Sequence, residues 1–455
     1  MLTRWPAGPA GLPISCFWPV TRKHNYRGIK GHMRKFVIRK PREIAPFNQP
    51  ARDLRVLNKP LWLWQRDLLS AYGEEPEHTV NSFEEIPFEA VETVVYADNL
   101  WFDRAFLETF LEEARGRGKP ARAAFRSEDP AYLQQGLRQL SRSYDQRGDL
   151  YYVDLWYFPQ GVARQVEPVI LSSDAQEIGY YSIPSYLSDR NKDLAWWLPE
   201  RAVCAIDTWV HVFFINIVFG VFAEAFRSEQ RSKNPMFRFQ ASLRSLIERK
   251  SVLGSSTYVQ VGKNCSIDDS TIFQGPVTIG DNVTIGPGCV ITQCIIGSNV
   301  TLTHGNHLHM SVIGDDCFFP WGASAHFTVF MKGASAGNNS CLDMSVVGCD
   351  SYVGSGTIFT DFNLLPLPLT VTVDGEPVEI DMPVLGACVG HNARVGSGLV
   401  VYPGRSIESD VVLIPSPTRR VIMQDISYEE SDHHATLNAD LHPRLYPRED
   451  ERRGA

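Results

Sequence analysis

From Val261 onward an apolar residue returns at every sixth position: Val261, Ile267, Phe273, Ile279, Ile285 and Ile291. With 44% of the chain apolar, six successive hits in one register arise by chance less than about once in a hundred trials. The phase slips by one and resumes at Ile296, Leu302 and Leu308, returns at Val347, Val353 and Phe359, and runs again from Val389 to Leu413. Glycine follows the apolar residue at Gly262, Gly280, Gly286, Gly297, Gly348, Gly354, Gly390 and Gly396. A six-residue period matches neither a helix nor a simple alternating strand. It fits a coil of short parallel strands whose apolar residues point inward and whose glycines permit tight corners. Stacked coils bury one continuous aliphatic column. Residues 360–384 break the repeat, and Asp374-Gly375 between alternating segments predicts a hairpin arm, 361–383.

The amino-terminal half reads differently. Val94-Val95-Tyr96-Ala97 predicts a buried strand that ends in Asp98. Asp103 can cap a helix with Phe106, Leu107, Phe110 and Leu111 on its apolar face, closed by Gly116 and Gly118. A carboxylate at the carboxyl end of such a strand is either a ligand-site residue or a turn aspartate. Cys204–Phe222 is long and apolar enough to cross a membrane, but it contains Asp207, His211 and Asn216. It is therefore predicted as a buried helix, with no membrane partner.

Charge and length sharpen this picture. A chain of 455 residues predicts more than one domain. Residues 1–42 hold ten Lys/Arg and no acid, leaving 34 basic against 52 acidic side chains beyond them. So acidic a body disfavours a nucleic-acid partner. The basic start, interrupted by prolines, predicts a flexible leader over 1–35, with Met1 or Met33 as the start. Nine scattered cysteines with no C-x-x-C spacing read as reduced core thiols and a cytoplasmic setting. After Pro415 the chain turns polar, and 416–455 is expected to be loosely docked.

The stretch APFNQPARDLRVLNKPLW, 45–62, resembles the start of sugar-1-phosphate nucleotidyltransferases. VVYADNLWFDRAFLETFLEEAR, 94–115, is similar to that family's strand, metal-binding aspartate and following helix, and CAIDTW, 204–209, to its later aspartate. GTIFTDFN, LTVTVDGEPVEI and LGACVGHNARVGSGLVVYPG, within 356–404, resemble the β-helix half of bifunctional members that also acetylate amino-sugar phosphates. The resemblance implies a degenerate nucleotidyltransferase-like α/β domain over 36–250. A left-handed parallel β-helix would follow over 251–415, and a homotrimer would form with sites between neighbouring prisms.

Residue by residue, the two chemistries fare differently. Nucleotidyl transfer needs a backbone cradle and cations for the triphosphate. The corresponding region, FVIRKPREIAPF, has no glycine, and Ala51 takes the family's lysine position. Nucleotidyl transfer is thus expected to be lost, although Asp98 and Asp207 could hold Mg²⁺ and Lys59 a substrate. Acyl transfer from acetyl-CoA or another acyl-CoA needs a base and oxyanion donors. The family's histidine falls at Cys341, its asparagine at Asp361 and its two arm lysines at Leu367 and Thr370, whereas Lys332 matches an acceptor-site lysine. His391 and His326 are the candidate bases, and Lys332 and Asp361 the candidate substrate-binding residues. His304, His307 and His309, in THGNHLHM, resemble the zinc histidines of hexapeptide-repeat carbonic anhydrases. No histidine stands two coils earlier, however, and His307 and His309 flank an inward Leu308.

The expected function is a sugar-phosphate-handling transferase with acyl transfer at the β-helix and a sugar phosphate or nucleotide sugar as partner. A non-catalytic scaffold or sugar-nucleotide sensor, and a zinc-dependent hydratase, stay open as alternatives.

Overall fold

The computed structural model describes residues 3–4, 33–73, 75–133, 137–181, 194–363, 367–435 and 442–454. Most of the leader expected at 1–35 lies outside the described residues. The rest forms two compact units, one drawn from 33–44 and 49–211, the other from 45–48 and 212–454 together with 3–4.

The first unit is α/β. Its sheet has seven strands, including β1 (Arg34–Ile38), β2 (Glu77–Val80), β3 (Thr93–Ala97), β4 (Ala121–Arg126), β5 (Leu150–Phe158) and β6 (Glu167–Ile170). Their order is β6-β4-β5-β3-β1-β2, with Asp145–Arg147 pairing off this path. β3 is parallel to β1 and antiparallel to β5, so the sheet is mixed. The first helix, α1, is Leu61–Leu69. The second, α2 (Arg104–Arg117), starts where the Asp103 carboxylate accepts the Phe106 N–H at 2.8 Å. It ends on Gly118 at a φ of 62°, a left-handed C-cap that glycine adopts without strain. Its Phe106, Leu107, Phe110 and Leu111 pack into the core with Val94 and Tyr96 of β3, as the periodicity predicts.

A third helix, α3 (Trp209–Ser232), has the length and hydropathy of a membrane span, yet every residue from 209 to 223 is buried. Its polar side chains are satisfied locally. His211 Nδ1 accepts the N–H groups of Asp207 and Thr208 at 3.2 and 3.1 Å, and Asn216 Nδ2 donates to the Val212 carbonyl at 2.8 Å. A further helix, α4, spans Pro235–Glu248.

The second unit is a three-sided parallel β-helix. Its three sheets hold nine, eight and eight strands, and Thr3–Arg4 adds antiparallel to Ser266–Ile267. The inward residues form one column: Ile267, Ile285, Leu302, Phe319, Ala336, Val353 and Val395 from one face, matched by equivalent rows from the other two. The repeat is unbroken between Leu308 and Val347, where Ala325, Ala334 and Ala336 fill inward places that a search for large apolar residues passes over. The one-residue slip recurs at a single corner of successive coils. There Gln293, Met310, Phe327 and Met344 sit at positive φ. At another corner Asn264, Asn282, Asn299 and Asp316, also at positive φ, form a hydrogen-bonded ladder of 3.2, 3.1 and 2.9 Å. Asparagine and aspartate tolerate the left-handed region and satisfy their own corner. A Cβ on Gly286 would lie 2.0 Å from the Thr303 carbonyl oxygen, so this corner accepts no side chain.

The arm is the hairpin Leu369–Val373 and Glu376–Ile380, turning at Asp374-Gly375. The expectation of a loosely docked tail is corrected. Val421–Ile422 adds a strand to the prism, and Ile422 lies in the core. Arg444 and Arg448 then bond Glu408, and Tyr446 covers His391. Residues 45–48, expected within the α/β domain, belong to the prism unit: the Pro46 carbonyl accepts the Ser409 N–H at 3.0 Å.

Candidate active site on one prism face

One face of the prism stacks Ile272–Gln274, Val290–Thr292, His307–His309, Ser324–His326, Cys341–Asp343, Ile358–Phe359, Val400–Val401 and Val421–Ile422. Leu308, Ala325 and Leu342 point into the core, so their sequence neighbours point outward. The register pairs Thr292 with His309, His309 with His326 and His326 with Asp343, giving one outward polar column. The His309 and His326 rings meet nearly edge to face, with centroids 6.0 Å apart at 89°. His326 Nδ1 stands 3.3 Å from Asp343 Oδ1, and the Cys341 thiol donates to Asp343 Oδ2 at 3.9 Å. Asp361 completes the cluster through its electrostatic interaction with Asp343, His326 and Cys341.

Charge sets the protonation states. The bond to Asp343 raises His326 above the usual imidazole range despite partial burial, with the Asp343 and Asp361 charges adding to the rise. Burial, and then repulsion from Asp343, lifts Asp361 to about 6. Burial lowers His309, and neighbouring His326 lowers it further. Cys341 is pushed up to about 11 by burial and by the Asp343 and Asp361 charges, which makes it a poor nucleophile near neutrality. The arrangement can take a proton at His326 while Asp343 fixes the ring.

The sequence-predicted residues are only partly gathered here. His326 and Asp361 share the cluster. Lys332 does not: it lies at the corner between the other two faces, 3.5 Å from Asp316. His391 is corrected as a base, because it is 1% exposed between Phe47 and Tyr446 and cannot reach a substrate. Its Nδ1 accepts the Cys349 N–H at 2.7 Å, and burial lowers its pKa to about 3. Lys59 pairs with Asp67 at 2.8 Å.

The metal aspartates are committed elsewhere. Asp207 accepts the Arg142 and Ser143 N–H groups at 2.7 and 3.0 Å and the Ser143 hydroxyl at 2.5 Å, leaving little capacity for a cation. Asp98 accepts the Lys40 N–H at 2.9 Å, with the Arg52 guanidinium 3.8 Å away where a cation would stand. Burial raises Asp98 to about 6. These residues do not fit a Mg²⁺ site. Among the described residues no group of three His, Cys, Asp or Glu side chains could hold a metal, so the zinc reading finds no ligand set.

Asp343 was missed as a site residue, and His309 was considered only as a zinc ligand, because a six-residue search looks along the chain. The informative spacing is one whole coil, 17 residues, which links His309 to His326 and His326 to Asp343.

The bacterial transferase hexapeptide (six repeats) family matches residues 258–293. The bifunctional protein GlmU of Pseudoalteromonas atlantica is 27% identical over 189 residues, 36% of this chain and 42% of that protein. The bifunctional protein GlmU of Paraburkholderia phytofirmans is 26% identical over 183 residues, 35% of this chain and 39% of that protein. The match thus spans about two fifths of the length of these curated relatives. A Bacillus cereus protein described as a provisional acetyltransferase covers 38% of this chain and 87% of its own, at 14% identity and a TM-score of 0.16. Residues 258–293 thus match bacterial transferase hexapeptide repeats, and part of the chain is similar to part of the bifunctional GlmU proteins.

Proposed function

We propose that the prism transfers an acyl group from a coenzyme A thioester to an amine or hydroxyl of a sugar phosphate or nucleotide sugar, with His326 as general base. The observation that carries this reading is the His326–Asp343 pair on an outward face. Asp343 accepts from Nδ1–H, so Nε2 bears the lone pair directed at a substrate. As the acceptor nitrogen or oxygen attacks the thioester carbonyl, Nε2 takes its proton. The C–S bond then breaks, and the departing thiolate receives that proton back. A homotrimer would place such a face against a neighbouring prism, where Lys332 of another copy could meet the acceptor's phosphate. In this reading nucleotidyl transfer is lost, since Arg52 stands at the cation position beside Asp98 and three donors already bond Asp207.

A second reading, a sugar-nucleotide sensor or scaffold without transfer, is favoured by the protonated Cys341 at the place where the resemblance puts the base. The test is release of free thiol from acetyl-CoA in the presence of a panel of amino-sugar phosphates. Release that requires acceptor and is lost in His326→Asn supports transfer. Thermal stabilisation by acetyl-CoA or nucleotide without thiol release supports a sensor.

A further inference from the structure

Helix α4 wears its apolar side outward. Ala241 is fully buried, Phe237 packs edge-on against Tyr258 with ring centroids 5.8 Å apart, and Glu248 accepts from the Ser256 N–H at 2.9 Å. These three positions fall on one side of a 3.6-residue helix. Met236, Phe239, Leu243, Leu246 and Ile247 cluster on the opposite side and are 51–78% exposed. A surface helix ordinarily turns its apolar arc to the core. Here the larger arc points away from it, and the exposed Val252 and Leu253 of the following turn extend the patch. Contiguous exposed apolar surface of this kind marks an interaction site.

Charge selects the partner. Residues 233–250 hold five basic side chains, Lys233, Arg238, Arg244, Arg249 and Lys250, against one acid, Glu248. Arg238 and Arg244 stand on the two margins of the apolar arc and both are exposed, Arg244 with its Nε 3.2 Å from Glu248 of the same helix. The chain beyond residue 42 is acidic overall, so this segment reverses the sign of the chain that carries it. A second copy of the same helix would set like-charged margins against each other, which costs affinity. An anionic bilayer offers the opposite: acyl chains for Phe239, Leu243, Leu246 and Ile247, and headgroup charge for the flanking arginines. We infer that α4 is a membrane-surface docking helix that seats the prism unit on anionic lipid, its apolar arc lying in the headgroup boundary.

The test is co-sedimentation of the full chain with vesicles of phosphatidylcholine alone and of phosphatidylcholine mixed with phosphatidylglycerol. Binding is expected to the anionic vesicles only and to weaken at high salt. Leu246→Glu with Phe239→Glu, at exposed sites that leave the fold's thermal transition in place, should reduce partitioning by about tenfold or more. Arg238→Gln with Arg244→Gln should lower it and flatten the salt dependence. Absence of binding to anionic vesicles at low salt overturns the proposal. So does binding that ignores these substitutions. Concentration-dependent self-association that Leu246→Glu abolishes, without vesicle binding, overturns it in favour of a contact between copies.

Discussion

Nδ1 of His326 lies 3.3 Å from Oδ1 of Asp343, its partner one coil further along the same outward column. A parallel stack makes this contact without any local turn, because registered strands bring residues a full coil apart into neighbouring rungs. The carboxylate fixes which nitrogen carries the proton and raises the affinity of the ring for a second one. For acyl transfer, kcat/KM should therefore rise with pH through an apparent pKa above the ordinary imidazole value. His326→Asn should lower kcat by about a hundredfold or more. Asp343→Asn should shift the pH limb downward while cutting the rate less severely. An unmoved limb in Asp343→Asn would mean that this pair does not set the base.

Asp361 predicts a stability effect of opposite sign to that of most carboxylates. Its folded pKa, about 6, lies above the ordinary 3.8 because of burial and Asp343. The folded state thus holds the proton more tightly than the unfolded chain. The protonated form contributes fully below about pH 4, and that contribution is lost as pH rises through about 6. Asp361→Asn should consequently stabilise the protein by about 1–2 kcal/mol at pH 8 and by little at pH 4. Thermal melts of both proteins across this range check it, and equal shifts at both ends would count against the assignment.

Much of this architecture was legible because a hexapeptide coil is a local rule written repeatedly. Ile279, Ile285 and Ile291 each announce an inward position, and Asp374-Gly375 announces the arm. The α2 cap at Asp103 was equally local. The site was harder to see. His326 draws its character from Asp343, and nothing within a six-residue window joins them. The burial of His391 depended on Phe47 and Tyr446, two residues far from it in sequence that the fold brings to either side of the ring. The tail was misjudged for a related reason: Glu429, Glu430 and Asp432 look solvated when read alone, but the Arg419 and Arg448 guanidinium groups meet two of them. Composition reports charge and not its pairing.

His391 should govern part of the acid sensitivity. Burial holds its pKa at about 3, against 6.5 in the unfolded chain, so the folded state keeps the ring neutral. A depressed pKa contributes stability that is present above 6.5 and is lost as pH falls toward 3. His391→Asn retains an acceptor for the Cys349 N–H but cannot be protonated there. The variant should start from lower stability at pH 7, through lost packing against Phe47 and Tyr446, and should then show a flatter decline between pH 6.5 and 3. Denaturant melts at a series of pH values measure the slope. A decline as steep as the parent's would assign the acid response to other groups.

Glu408 ties the tail to the prism, and the energetics of that tie can be predicted. Burial alone would raise its pKa. Bonds from Arg448, Asn48, the Tyr428 N–H and Arg444 outweigh that cost and hold the carboxylate below the usual range. Asn48 donates at 2.8 Å, Arg444 at 2.9 Å, and Arg448 through two nitrogens. Removing the charge strands two guanidinium groups against a largely buried acceptor site, although each keeps a second partner, Glu451 for Arg444 and Glu429 for Arg448. Glu408→Gln should thus cost about 3 kcal/mol, at the lower end for a broken buried pair. Glu429→Gln, whose carboxylate is 58% exposed, should cost under about 1 kcal/mol. The loss should begin locally, with proteolysis near Arg444 and Arg448 becoming rapid before the prism melts. Limited digestion of the two variants under native conditions distinguishes these outcomes, and a Glu408→Gln tail as resistant as the parent's would show that Tyr446 and Ile422 hold the segment without the ion pairs.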